Sequence, residues 1–258
     1  MSALLEVENI SFSFGGLRAV ANVTFTAEER AITSLIGPNG AGKTTVFNLI
    51  SHFLTPEAGA IRLRGEAIEA LPPFAIARRG IGRTFQDPRI FPETSVLENV
   101  TVGVRQRGER PLAALLRGPK VNAEARAVTA RAEAMLEAVG LIDRARDLAR
   151  DLSFGEQRFL SIARAMVGDP ALVLMDEPTV GLDQGARAKL LDLMTRLAAQ
   201  DGKALLVIEH NMDVVMSVST KVVLLVQGEV VAAGPPEEIR AHRRMAEAYL
   251  GSKHAPPG

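Results

Sequence analysis

Apolar residues along the chain fall into two spacings. Alternating or near-continuous runs read as strands: LLEVENISFSF and AVANVTFTA within residues 4–27, AITSLI at 31–36, and IRLRG at 61–65. Three later runs are almost wholly apolar: ALVLM (Ala171–Met175), ALLVI (Ala204–Ile208) and VVLLV (Val222–Val226). Helical spacing over about 185–200 separates the first two, and over about 211–218 the last two. Apolar runs alternating with helices are the pattern of parallel strands covered on both faces. A helix carrying Val46, Phe47, Leu49 and Ile50 is expected from near Lys43, and a short one over 73–80. From about 93 to 170 the strand runs vanish and the chain turns Ala-, Arg- and Leu-rich. There Val128, Ala132, Met135 and Val139 share one helical face, behind a candidate cap at Asn122. The expected fold is α/β: a mainly parallel sheet, an N-terminal antiparallel β part and an inserted α-helical subdomain. The α/β core is expected over 1–87 and 168–250, the helical part over about 88–167, and the polar, Pro-rich tail 251–258 is expected to be disordered.

Composition narrows this picture. With 258 residues, 47% of them hydrophobic, the chain can bury a sizeable core. Lys+Arg and Asp+Glu are both 30, so no global field favours nucleic acid. There is no cysteine, which excludes disulfides and thiolate metal sites. The opening MSALLEVENI lacks the basic and apolar regions of a signal peptide, and the longest apolar runs are too short to cross a bilayer. A role at a membrane would be that of a bound partner. The basic segment RQRGERPLAALLRGPK (105–120) reads first as a solvated loop, with a headgroup or partner contact as the alternative.

The first chemistry is at GPNGAGKTT, Gly37–Thr45, which fits G-x-x-x-x-G-K-[ST] between an apolar strand and a helix. Gly37, Gly40 and Gly42 allow close backbone approach, and successive N–H groups of Gly37, Pro38-Asn39, Gly40, Ala41, Gly42 and Thr45 surround a polyphosphate, Pro38 itself lacking one. Lys43 is expected at the β/γ-phosphates and the Thr44 hydroxyl on Mg²⁺. The motif leads to the expectation of a P-loop NTPase core. Asp176 and Glu177 follow the apolar strand ALVLM. Metal-assisted phosphoryl transfer needs one carboxylate near Mg²⁺, suiting Asp176, and one group to orient or deprotonate water, suiting Glu177. His210 also follows a strand, where open α/β sheets bind ligands. Alone, His210 and Gln86 read as well as ordinary surface residues.

LSFGEQ (Leu152–Gln157) opens an apolar helical pattern. Ser153 is a good N-cap and Glu156 completes a capping box, so a purely local role is sufficient.

Taken in order, GPNGAGKTT, Gln86, LSFGEQ, LVLMDEP, GLD (Gly181–Asp183) and His210 resemble the nucleotide-binding subunits of ABC transporters over nearly the whole chain. The resemblance implies ATP and Mg²⁺ as ligands. Gln86 would sense Mg²⁺ and the membrane partner, Asp183 would carry information between subunits, and His210 would contact the γ-phosphate. Phe14 would stack on adenine. Ser153, Gly155 and Glu156 would act on the ATP of a second ABC ATPase subunit, paired head to tail as a homo- or heterodimer. FGGLRAV (14–20), GIGRTFQ (80–86), VIEHNMDVVM (207–216) and AYLG (248–251) resemble the branched-chain amino-acid importer ATPases, in the form with the longer helical insert. That implies transmembrane permease subunits, a periplasmic or extracellular solute-binding protein, and a peripheral place on the cytoplasmic side of the inner membrane. The alternatives are the ATPase of a urea, amide or lipopolysaccharide-type transporter, a non-transport ABC ATPase, and an unrelated P-loop kinase. Two positions depart from the common LSGGQ: Phe154 stands for a glycine and Glu156 for glutamine. Arg89, Ile90 and Phe91, near Gln86, are candidate contacts to the membrane subunits.

Overall fold

A computed structural model describes residues 2–104 and 119–250. The N-terminal runs form two long strands, β1 (Ala3–Phe14) and β2 (Leu17–Glu28), turning at Gly15-Gly16. β4 (Ala58–Leu63) pairs with β1, and β5 (Glu66–Ala67) with β4, all antiparallel. The second sheet has the order β10-β9-β3-β8-β7-β6. β3 (Ile32–Ile36), β6 (Ile81–Arg83), β7 (Leu172–Asp176), β8 (Ala204–Ile208) and β9 (Lys221–Val226) run parallel. β10 (Glu229–Gly234) closes one edge antiparallel to β9.

Every residue of β3, β7 and β8 is buried, which accounts for their mainly apolar runs; Thr33 and Ser34 of β3 are buried polar residues within one. Alternate residues serve two cores. Leu172, Leu174, Leu206 and Ile208 pack with helix α1 (Lys43–Ile50) and the antiparallel sheet. Val173, Met175, Leu205 and Val207 pack against helices on the other face. Those helices are α3 (Val96–Thr101), α4 (Pro119–Ala138), α5 (Phe154–Met166) and α6 (Gln184–Ala199). The hydrophobic cluster runs unbroken from them onto the sheet, so the helical part shares its core with the parallel strands. α2 (Pro73–Arg79) precedes β6, α7 (Met212–Val218) links β8 to β9, and α8 (Pro236–Ala241) and α9 (Arg243–Leu250) follow β10.

Three details differ from the sequence reading. α4 already contains Asn122, which therefore lies inside the helix and not at its cap. β6 is a strand of three residues, too short for an alternation to register. Strand β10 and helices α8 and α9 follow the last apolar run and are not among the expected elements. Most of the basic segment 105–120, and the tail 251–258, lie outside the described residues.

Candidate functional site

The phosphate-loop residues connect β3 to α1. Gly42 is the N-cap of α1 and is left-handed, with φ 97°. A Cβ there would stand 2.4 Å from the Ala19 carbonyl oxygen of β2, so only glycine lets loop and hairpin close together. The turn between β9 and β10 locks the same corner: Gly228 donates its N–H to Ala41 O at 3.0 Å, and Ala21 donates to Gly228 O at 2.8 Å. The β1–β2 hairpin that carries Phe14 is thereby fastened beside the loop. Phe14 is 52% exposed and meets Phe12 edge to face at 4.9 Å.

Lys43 folds back over the loop. Its Nζ donates to Gly37 O at 2.8 Å and Pro38 O at 2.9 Å. Burial pulls its pKa below the ordinary lysine value, opposed by the charges of Glu177 and Asp176. Thr44 and Asn39 are exposed, and Thr45 is half-buried.

Asp176 ends β7, buried. Desolvation raises its pKa, while the positive charges of Arg83, Lys43 and Arg158 hold it back. Glu177 takes a left-handed conformation, φ 46°, with its N–H donating to Ile208 O of β8 at 3.0 Å. The chain turns off the strand here and presents the carboxylate at the strand end. β6 runs parallel to β7, and Thr84 donates its N–H to Leu174 O at 2.9 Å. That registration delivers Gln86: its Nε2 donates to Glu177 Oε2 at 3.1 Å. The other carboxylate oxygen, Oε1, lies 3.7 Å from His210 Nδ1. Two residues that follow two other strands thus converge on the carboxylate of Glu177.

Ser153 lies elsewhere. It caps α5 in a complete capping box: Glu156 N–H donates to Ser153 Oγ at 3.3 Å, and Ser153 N–H donates to Glu156 Oε2 at 2.8 Å. Asp183 caps α6, its Oδ1 accepting from Ala186 N–H at 2.8 Å. Ser153, Gly155, Glu156 and Asp183 border one open cleft of about 790 Å³, to which the phosphate loop, Gln86, Asp176, Glu177 and His210 contribute nothing. Phe154, the departure from glycine, has no left-handed backbone to satisfy. Its ring lies on Gly181, where an added Cβ would fall 2.6 Å from Cε1, and the Arg158 guanidinium sits 5.4 Å from its centroid.

Three residues at the site went unread in the sequence. Glu209, 1% exposed, accepts at Oε1 from Thr179 N–H (3.1 Å) and Thr179 Oγ1 (2.6 Å), and at Oε2 from His210 N–H (3.3 Å). Arg158, also 1% exposed, donates to Phe85 O at 2.9 Å and so holds the backbone just before Gln86. Arg83 donates to Asn48 Oδ1 at 2.8 Å and to Ser51 Oγ, with Phe85 4.9 Å from its guanidinium. The only sequence signal was weak: a charged residue inside or just beyond an apolar pattern.

Among the described residues no cluster of three His, Cys, Asp or Glu side chains is placed to hold a metal. Thr44, Asp176 and Gln86 offer hard oxygen donors, which suits an ion that takes most of its ligands from a bound phosphate and water.

Comparison with known proteins gives the same picture. The model of the ABC transporter family matches residues 20–180. The high-affinity branched-chain amino acid transport ATP-binding protein LivG of Salmonella typhimurium is 43% identical over 96% of this chain and 98% of its own length. The crystal structure of an ATP-binding cassette of an ABC transporter, in its ADP conformation, superposes with a TM-score of 0.84 at 29% identity, covering 97% of this chain and all of that one. A dimeric ATP-binding cassette in a post-hydrolysis state, bound to ADP and Pi, gives a TM-score of 0.74 at 28% identity over 90% and 98% of the two chains. With the strand-end carboxylate, the phosphate loop and the separately capped LSFGEQ all in place, the chain belongs to the ABC transporter family.

Proposed function

We propose that this chain hydrolyses ATP to power a membrane importer for branched-chain or related amino acids. The observation that carries the reading is the convergence of Gln86 and His210 on the Glu177 carboxylate, at the strand end beside the phosphate loop. The likeness to the transport ATP-binding protein, over nearly the full length of both chains, supports the solute class.

In this reading the N–H groups of the loop and the N-terminus of α1 bind the β- and γ-phosphates. Lys43 exchanges its two loop carbonyls for phosphate oxygens, a stronger charge-assisted partner. Phe14, exposed at the hairpin end, offers a ring face to adenine. Glu177 orients a water and takes its proton as the water oxygen attacks the γ-phosphorus; the β–γ bridging bond breaks, leaving ADP and phosphate. Gln86 fixes one oxygen of that carboxylate. His210, 53% exposed in its side chain, is free to turn to the γ-phosphate. Thr44, Asp176 and Gln86 would hold a Mg²⁺ ion, whose charge offsets that building up on the phosphate oxygens.

Ser153 and Gly155 border a cleft that the chain's own phosphate loop does not line. They serve the ATP of a second ABC ATPase subunit, and Asp183, on the same cleft, carries that contact between subunits. A head-to-tail pair, of two copies or of this chain and a related one, buries two nucleotides. Among the described residues no helix is long and apolar enough to cross a membrane. By its likeness to the transport ATP-binding protein, the chain acts peripherally, on the cytoplasmic side, bound to permease subunits that receive solute from a binding protein. The docking surface proposed is that of Arg89, Ile90 and Phe91, where Arg164 clamps the Arg89 and Pro88 carbonyls at 2.8 Å.

The test is Glu177→Gln. Loss of the base should lower turnover by at least about a hundredfold, and ATP should then trap a dimer, read by sedimentation with and without ATP. Turnover within about twofold of the unaltered chain would remove Glu177 from the role of base.

A further inference from the structure

A serine hydroxyl has one hydrogen to donate. In the free chain Ser153 gives it to Glu156: Oγ–H donates to Oε2 at 2.8 Å, and that same oxygen also takes the Ser153 N–H at 2.8 Å. The carboxylate of Glu156 thus occupies the donors that an incoming phosphate would use. Its other oxygen, Oε1, accepts from Arg144 Nη1 at 3.0 Å. Arg144 is itself pinned, by the Asp147 carboxylate through Nε and the Asp151 carbonyl at 3.3 Å through Nη2. Glu156 is therefore shared between Ser153, which the nucleotide needs, and a fixed guanidinium that already holds its other oxygen.

We propose that Glu156 is a built-in stand-in for the partner's γ-phosphate, and that Arg144 is the positioning residue that draws its carboxylate off Ser153 when that nucleotide arrives. The inference rests on the reading that Ser153 acts on the partner's ATP. Two anions cannot share one set of donors at close range, so either the phosphate is repelled or the carboxylate moves to a cation. Arg144 makes the second course available. Its charge is already neutralising Glu156 before the nucleotide comes, and the capping hydrogen bonds and Arg144 together hold the Glu156 carboxyl below its ordinary pKa against the opposing effect of burial. Once the carboxylate swings to Arg144, the capping box loses its reciprocal half, the bonds from Ser153 N–H and Oγ–H to Glu156 Oε2; Ser153 Oγ still accepts from Glu156 N–H, and a phosphate takes the freed donors.

The test is a double-mutant cycle in the Glu177→Gln background, using two copies of this chain and reading the ATP concentration that half-saturates dimerisation. Both halves of the site are on one chain, so two copies complete two sites by symmetry. Arg144→Met keeps the stem and removes the charge; it should raise that concentration about tenfold, while Arg144→Lys should raise it less. Glu156→Gln removes the competing anion, retains capping capacity, and should lower the concentration. The decisive variant is the double one. Without a charge at position 156 there is nothing for Arg144 to draw away, so Arg144→Met should then have little further effect. If Arg144→Met costs the same factor with Glu156→Gln as without it, Arg144 is only a structural clamp and the inference is overturned. Thermal melts of all four chains identify a fall in folded protein, and Arg144→Lys preserves the cycle where Arg144→Met melts early. The underlying reading fails separately: if Ser153→Ala dimerises with ATP like its parent, Ser153 does not touch the partner's nucleotide.

Discussion

Asp176 shows how a single residue can be set against the fold for the sake of the site. It is 6% exposed at the end of β7, and burial raises its pKa despite Arg83, Lys43 and Arg158 nearby. In the unfolded chain the carboxyl ionises at the ordinary aspartate value, and in the folded chain only at higher pH. Between those values the unfolded state gives up its proton first, so folding loses stability as pH rises through the window, and the loss persists above it. Asp176→Asn should therefore stabilise the nucleotide-free chain by about 1 kcal/mol at neutral pH, roughly 2–4 °C in melting temperature. Below the ordinary aspartate range the gain should disappear, and ATP turnover should be lost throughout; calorimetry at neutral and acid pH, with an ATPase assay, checks both. The position of Asp176 was legible because it sits beside an acidic neighbour immediately after an unbroken apolar run. The role of Arg144 was not, because nothing local distinguishes it from the other arginines between 126 and 164, and its partner Glu156 lies twelve residues on, across two short turns.

At the scale of elements, the sequence displayed whatever repeats with the period of a strand or helix. β3, β7, β8 and β9 lie within a residue or so of their apolar runs because both faces of each strand are covered and most positions are apolar, Thr33 and Ser34 of β3 being buried polar exceptions. β6 escaped because three residues carry no period, yet its pairing to β7 is what brings Gln86 to Glu177. Joints between elements are the least visible, since their partners are far apart in the chain. Glu209 and Thr179 are thirty residues apart, and their hydrogen bonds join the segment after β7 to the end of β8. Glu209→Ala should leave the buried Thr179 N–H and hydroxyl unpaired and cost about 2–3 kcal/mol in urea unfolding. Glu209→Gln keeps an acceptor there and should cost less. Because the His210 N–H rests on the same carboxylate, the alanine variant should also lose turnover beyond its loss of folded protein.

For the whole molecule, the placement of the two ligand-facing ends has a consequence that no single element shows. The LSFGEQ helix end borders a cleft that the phosphate loop does not line; in the proposed head-to-tail pair a complete site needs two chains, and each chain supplies half of two sites. Lys43→Met should disable the site built on its own loop, and Ser153→Ala the site built on its partner's. Each variant alone spoils both sites of its homodimer. In a mixed dimer, both defects fall in the same site: the altered loop of one chain faces the altered cap of the other. The second site then combines the unaltered loop of the Ser153→Ala chain with the unaltered cap of the Lys43→Met chain. Random pairing of equal amounts makes about half the dimers mixed, each with one intact site of two, so about one quarter of the sites are restored. An ATPase assay on the mixture should recover activity towards that fraction where the sites fire independently, from two proteins that are each nearly inactive. A site completed within one chain predicts no recovery at any mixing ratio, because neither chain then holds both an intact loop and an intact cap.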